Sequence, residues 1–200
     1  MQPRLRAISR DTALQAGKTI ALHLEADPEW TGMTELVLFA SAGGEVDSRP
    51  LFDLARRHRK TVLFPRMVEG ETLECVEVEA FEDLVRGRYG VREPAAERPA
   101  RPIRATALVL APGIAFDLRG GRLGRGAGYY DRALAPIGQR RDGPRFVGVA
   151  FDLQIVHRVP MQTHDVYMDA VVTDSGLCWV RPEERRGGAG QDGREGDESR

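Results

Sequence analysis

Five short apolar runs, each closed by turn residues, constrain this chain more than any other feature. They lie at residues 35–40, 61–64, 106–111, 146–151 and 170–173. Each is nearly continuous in apolar side chains, as in a strand buried on both faces, and does not alternate as a half-exposed strand would. Between them come stretches with helical spacing. Leu14, Ile20, Ala21 and Leu24 share one side of a helix expected over 11–24, which Asp27-Pro28 ends. Leu51, Phe52, Leu54 and Ala55 do the same over 49–59. A strand buried on both faces needs cover on both, so the expected fold is a three-layer α/β domain around a mostly parallel sheet. Pro65 should stop the second strand. Residues 72–78 should form a more exposed strand or hairpin arm, and 93–104, rich in Pro, Ala and Arg, an irregular surface connection. A chain of 200 residues suffices for one core. One domain is expected over 1–180, followed by a disordered, charged, glycine-rich tail over 181–200.

The formal net charge of −1 offers no general attraction for nucleic acid or anionic membrane. No apolar run approaches the roughly 18–20 residues of a membrane span, and the first residues lack the apolar core of a secretory signal. Cys75 and Cys178 form no spaced motif and read as buried, reduced thiols, which fits a cytoplasmic protein. The four histidines (His23, His58, His157, His164) have no metal-ligand spacing, so zinc is not expected. Positive charge is carried almost wholly by arginine. The only lysines, Lys18 and Lys60, read as solvated helix-face residues.

In an open parallel sheet, ligands sit at the carboxyl ends of strands. Those ends should be 41–45, Pro65-Arg66, 112–128, Asp152 and the stretch up to Asp169. One of them carries a concentrated signal. Gly124, Gly126 and Gly128 alternate with other residues just before a helix expected over 129–134. Backbone without side chains approaches a phosphate closely, and free N–H groups at a helix start attract anions. Arg122 and Arg125 can neutralise phosphate or clamp a carboxylate, and Asp131 can hold magnesium. The loop lacks the Gly-Lys-Ser/Thr of a Walker A sequence and the spacing of a dinucleotide fingerprint. Glycine spacing alone leaves a phosphate loop and a plain flexible turn about even. The arginines, the Tyr129-Tyr130 pair and the preceding buried strand favour a site.

The run from Pro112 to Asp117, followed by 121–131, closely resembles the signature of 5-formyltetrahydrofolate cyclo-ligases, also called methenyltetrahydrofolate synthetases. The resemblance extends to Glu45, to Phe64-Pro65-Arg66 and to His164-Asp165 before Met168-Asp169, and spans residues 5–172. It implies a sugar-isomerase-like (CoA-transferase-like) α/β fold. It also implies ATP-dependent conversion of 5-formyltetrahydrofolate to 5,10-methenyltetrahydrofolate, with release of ADP and phosphate. In that chemistry the formyl oxygen is phosphorylated, and folate nitrogen 10 then attacks the formyl carbon and expels phosphate.

Carried over residue by residue, the family pattern gives ATP to Arg122, Leu123, Gly124, Arg125, Gly126, Ala127, Gly128, Tyr129 and Tyr130. The folate falls to Ala40, Glu45, Arg125, Gly126, Ala127, Gly128 and Tyr129. Arg125 and Tyr129 would be catalytic, and Asp131 and Asp165 would hold Mg²⁺. For Tyr130, packing against the sheet is the favoured role. The implied partners are reduced folate and ATP, with no nucleic acid and no membrane, and the expected state is a monomer. Family members usually begin with a helix carrying lysine and, four residues on, arginine, both reaching ATP. Here no lysine precedes Lys18, and the first six residues align after that motif. Three readings follow: the start lies upstream of Met1, ATP is held differently, or the chain is a non-catalytic folate-binding member that has lost ATP use. Outside the signature, Asp117 is expected to bond its own loop's backbone. Trp30 and Trp179 should be packing residues. The run 56–60 should be a solvated helix end favoured by the helix dipole.

Overall fold

The computed structural model describes residues 1–68, 72–87, 90–126, 143–162 and 165–181. The chain opens with a short α1 (Gln2–Arg6) and the long α2 (Arg10–Ala26). Ser9 caps α2 by accepting the Thr12 N–H at 3.0 Å. Asp27 ends α2 and caps the following turn, α3 (Pro28–Gly32), through the Glu29 N–H at 2.9 Å. Then come β1 (Glu35–Val37), α4 (Arg49–Arg57), β2 (Thr61–Val68) and β3 (Thr72–Glu77). A two-stranded ribbon of β4 (Val85–Arg86) and β5 (Arg92–Glu93) precedes β6 (Ala107–Pro112). A hairpin of β7 (Ala115–Phe116) and β8 (Arg122–Leu123) follows. The last strands are β9 (Arg145–Val149), β10 (Ala170–Thr173) and β11 (Gly176–Trp179).

Seven strands make the main sheet, in the order β11-β10-β9-β6-β1-β2-β3. The five inner strands are parallel, and the edges β3 and β11 run antiparallel to their neighbours. The sheet is therefore mostly parallel with flanking helices, as the apolar runs require. Alternation along the strands divides the core. Leu36, Leu38, Val62, Phe64, Leu108 and Leu110 pack with Ile20, Leu24, Leu51 and Leu54 of α2 and α4. Val37, Leu63, Val109, Phe146 and Val171 face the other way, against Phe116, Val166 and Met168. Among the described residues, the cover on that second face is the β7–β8 hairpin and extended chain after β9. The helix expected over 129–134 lies outside the described residues, as does the tail from 182 onward.

Several local expectations are corrected. Pro65 does not end β2, which runs on to Val68. Strand β1 pairs with β2 only as far as Leu63, so on the β1 side the N–H that proline lacks has no partner strand to meet, while β3 continues to pair on the other side, Pro65 opposite Cys75. Lys60 is not solvated. Its ammonium donates to the carbonyls of Trp30 (2.7 Å) and Met33 and sits 4.3 Å over the Trp30 ring. It closes the C-terminal end of α3, and desolvation lowers its pKa. Cys178 is exposed and only Cys75 is largely enclosed; both are free thiols. Burial, with Glu35 adding, pushes the Cys75 thiol up to about 12, so it stays protonated. Trp30 is a packing residue as expected, buried and edge-on to His58. No helix among the described residues is long and apolar enough to cross a membrane.

Candidate active site

The chain leaves β1 toward β2 in one direction and runs from β6 to β9 and β10 in the other. The boundary between β1 and β6 is thus the switch point of the sheet, where the two outgoing loops diverge, and an open α/β sheet takes its ligands at such a point.

The β1 loop is held tightly. Ala40 is half-buried against the helix-side core. The Ser41 hydroxyl donates to Ser48 Oγ at 2.9 Å and accepts the Ser48 N–H at 2.7 Å. The Asp47 N–H reaches the Ala13 carbonyl of α2 at 3.1 Å, possible because Gly17 has no side chain there: a Cβ would lie 2.3 Å from the Asp47 oxygen. Glu45 rides on this clamped loop. Its carboxylate accepts the Ala42 N–H at 2.8 Å and is about 10% exposed. Burial raises its pKa, while the Ala42 N–H and Arg125 pull the other way.

The β6 loop is equally built. The Phe116 ring lies on Gly113 and Gly148, where added Cβ atoms would stand 2.7 and 2.4 Å from it. The Gln154 side chain is buried and donates to the Gly113 carbonyl at 2.7 Å while accepting the Phe151 N–H at 2.8 Å. Asp117 bonds its own loop as expected, accepting the N–H groups of Arg119 and Gly121 at 2.9 Å each. After the hairpin, Gly126 takes φ +94°, a conformation that favours glycine.

Arg125 extends from this loop, and its guanidinium meets Glu45 Oε1 at 2.7 Å. The structure thus joins two residues 80 positions apart in sequence, one from each side of the switch point. Arg122 turns inward instead. It is 6% exposed, with Nη1 3.4 Å from the Pro112 carbonyl. Leu123 is exposed and Gly124 half-exposed. Asp165 lies on the chain between β9 and β10, and its Oδ2 accepts the Gln162 N–H at 2.7 Å. Ala127, Gly128, Tyr129, Tyr130, Asp131 and His164 lie outside the described residues.

Two expected strand-end positions serve the fold. Arg66 sits inside β2, and its guanidinium donates to the carbonyls of Ala95 (2.6 Å) and Arg98 (3.0 Å) and pairs with Glu74. Asp152 follows β9, and its carboxylate is held by Ser175 and Thr173, which lower its pKa. Sequence inspection missed Gln154, because a glutamine after an apolar run carries no distinctive signal.

A family model described as the 5-formyltetrahydrofolate cyclo-ligase family matches residues 1–174. The 5-formyltetrahydrofolate cyclo-ligase of Escherichia coli (strain K12) is 30% identical over 178 residues, covering 88% of this chain and 97% of the relative. A probable 5-formyltetrahydrofolate cyclo-ligase of Caenorhabditis elegans is 31% identical over 146 residues, covering 68% and 71%. Among solved structures, the Aquifex aeolicus 5,10-methenyltetrahydrofolate synthetase superposes with a TM-score of 0.72 at 29% identity. That match covers 98% of this chain and 92% of the other.

Proposed function

This chain belongs to the 5-formyltetrahydrofolate cyclo-ligase family, and from that premise we infer how its residues carry the reaction. It converts 5-formyltetrahydrofolate to 5,10-methenyltetrahydrofolate and consumes ATP, releasing ADP and phosphate. A formamide oxygen is a poor leaving group. Attack of that oxygen on the γ-phosphorus breaks the bond to ADP and makes it a phosphate ester. The lone pair of folate nitrogen 10 then adds to the formyl carbon, the nitrogen loses its proton, and phosphate departs with the C–O electrons. Little covalent chemistry falls to the protein, whose task is alignment and neutralisation of charge.

The observation that carries the residue assignments is the Glu45–Arg125 pair across the switch point. Arg125 is the half-exposed cation of the glycine-rich loop and is free to turn from Glu45 to a phosphoryl oxygen. Glu45 is a largely enclosed acceptor suited to the ring N–H groups of the pterin, and Ala40, just after β1, is the apolar position assigned to the folate with it. The loop from Arg122 to Tyr130 carries the nucleotide through backbone N–H groups, with Gly126, Ala127, Gly128 and Tyr129 also assigned to the folate and Tyr129 joining Arg125 in catalysis.

Mg²⁺ would be held by Asp131 and Asp165 and would neutralise phosphate charge when bound. No group of three or more His, Cys, Asp or Glu side chains gathers among the described residues. Asp165 would offer one of the hard carboxylate oxygens that magnesium prefers, with phosphate oxygens among its other ligands. The sugar-isomerase-like fold and a cytoplasmic monomer belong to the same proposal.

The test is turnover of the purified protein with 5-formyltetrahydrofolate and MgATP, followed by absorbance of the methenyl product. Product should form with the wild type, and Arg125→Ala should lower kcat/KM by about a hundredfold or more. Absence of product from the wild type removes the function. Unchanged kinetics in the variant remove Arg125 from the site.

A further inference from the structure

We propose that Asp117 is a positioning residue, which sets the glycine-rich loop against the chain segment that carries Asp165. Asp117 is 2% exposed, and the acceptor capacity of its carboxylate is divided between two segments. Oδ1 accepts the N–H groups of Arg119 and Gly121 inside the hairpin turn. Oδ2 accepts the Val159 N–H at 2.7 Å, 42 residues further along the chain. The same two segments are stitched on either side of this bond. The Val156 N–H reaches the Phe116 carbonyl at 2.8 Å, and the Met168 N–H reaches the Gly120 carbonyl at 2.8 Å.

The contact is too close for substitution. Gly120 has φ +89°, and a Cβ there would stand 2.4 Å from the Met168 oxygen; a Cβ on Gly121 would stand 2.5 Å from the Asp117 carboxylate. The Asp117 carboxylate bonds backbone N–H groups of both segments at once. A buried carboxylate accepting backbone N–H groups gives strong, directional bonds. Beyond Gly121 the chain enters the nucleotide loop, and beyond Val159 it reaches Asp165. A displacement of one segment relative to the other would misplace the groups around the phosphates while leaving the Glu45 loop, clamped separately to α2, where it is.

The inference rests on the proposed nucleotide role of this loop and makes a selective prediction. Asp117→Asn keeps one acceptor oxygen but puts an NH₂ where the second stood, so either the turn or Val159 faces a donor. The KM for ATP should rise about tenfold or more, since loss of a charge-assisted bond is worth at least about one factor of ten. Calorimetric affinity for 5-formyltetrahydrofolate without nucleotide should fall by a clearly smaller factor, because Glu45 and Ala40 on the separately clamped loop also hold the folate. A loss several-fold larger for ATP than for folate supports the proposal. Unchanged ATP kinetics, or equal weakening of both substrates, overturns it, because a merely structural residue moves both.

Amide hydrogen exchange on the wild type provides a reading that survives a misfolded variant. A non-hydrolysable ATP analogue should slow exchange at Arg119, Gly121 and Val159 together, and slowing at the hairpin without Val159 overturns the coupling. If the wild type makes no methenyl product, the enzymatic function fails instead, and the exchange experiment still judges the coupling.

Discussion

At the scale of single residues, Glu45 shows a conflict between folding and its proposed role in binding folate. A carboxylate whose pKa is raised by burial costs stability in its charged form. The folded protein binds that proton more tightly than the unfolded chain, so the contribution is favourable below the ordinary value of 4.5 and is lost as pH rises through the folded value. Glu45→Gln removes the penalty. Its half-exposed partner Arg125 returns to water at little cost, since exposed pairs contribute about 0–1 kcal/mol. The variant should therefore melt at a higher temperature than wild type at pH 7, with the difference closing below about pH 4.5, as thermal scans across pH would show. It should also bind 5-formyltetrahydrofolate more weakly. A variant no more stable than wild type at pH 7 would mean that Arg125 and Ala42 fully offset the burial. Glu45 was found in the sequence only by resemblance, because one glutamate after a turn looks like any other. Lys60 shows the reverse limit: a lysine after a basic helix end reads as solvated, and only the fold reveals the Trp30 and Met33 carbonyls that draw it inward.

At the scale of elements, the apolar runs were legible and the small antiparallel pieces were not. Strands β1, β2, β6, β9 and β10 each bury side chains on both faces, so hydrophobicity marks them without further context. Strand β11 was missed because its residues are mostly half-exposed and its pairing depends on β10 turning back through Asp174 and Ser175. The β7–β8 hairpin was hidden inside the glycine-rich run, where a short strand has no periodicity to display. Its anchor is testable. Phe116 lies over Gly148 of β9, and an alanine there meets the ring at 2.4 Å. Gly148→Ala should destabilise the protein by about 1–3 kcal/mol in urea titration, the usual cost of overpacking. Adding Phe116→Leu should recover part of the loss. A neutral Gly148→Ala would show that the hairpin yields easily and does not hold the loop.

At the scale of the whole molecule, the proposed site lies where two loops leave the sheet at its switch point in opposite directions. Ligand bound there should stabilise both halves of the sheet as one unit. At a hundredfold excess over its Kd, 5-formyltetrahydrofolate should add about 2.7 kcal/mol to unfolding, and raise Tm by about 5–10 °C for a chain of this size. Glu45→Gln should remove most of that shift in a thermal scan, whereas a ligand bound elsewhere would leave it intact. Short-range information settled the α/β class, the parallel inner strands and the existence of a loop after β6, because burial on two faces and glycine spacing are local properties of a chain. Tertiary structure alone decided that Arg125 meets Glu45, that Asp117 reaches Val159 and that Gln154 fastens Gly113. Each of those contacts joins segments about 40 to 80 residues apart, and a hydrogen bond at that separation depends on the register and direction of the strands between, which no local pattern encodes.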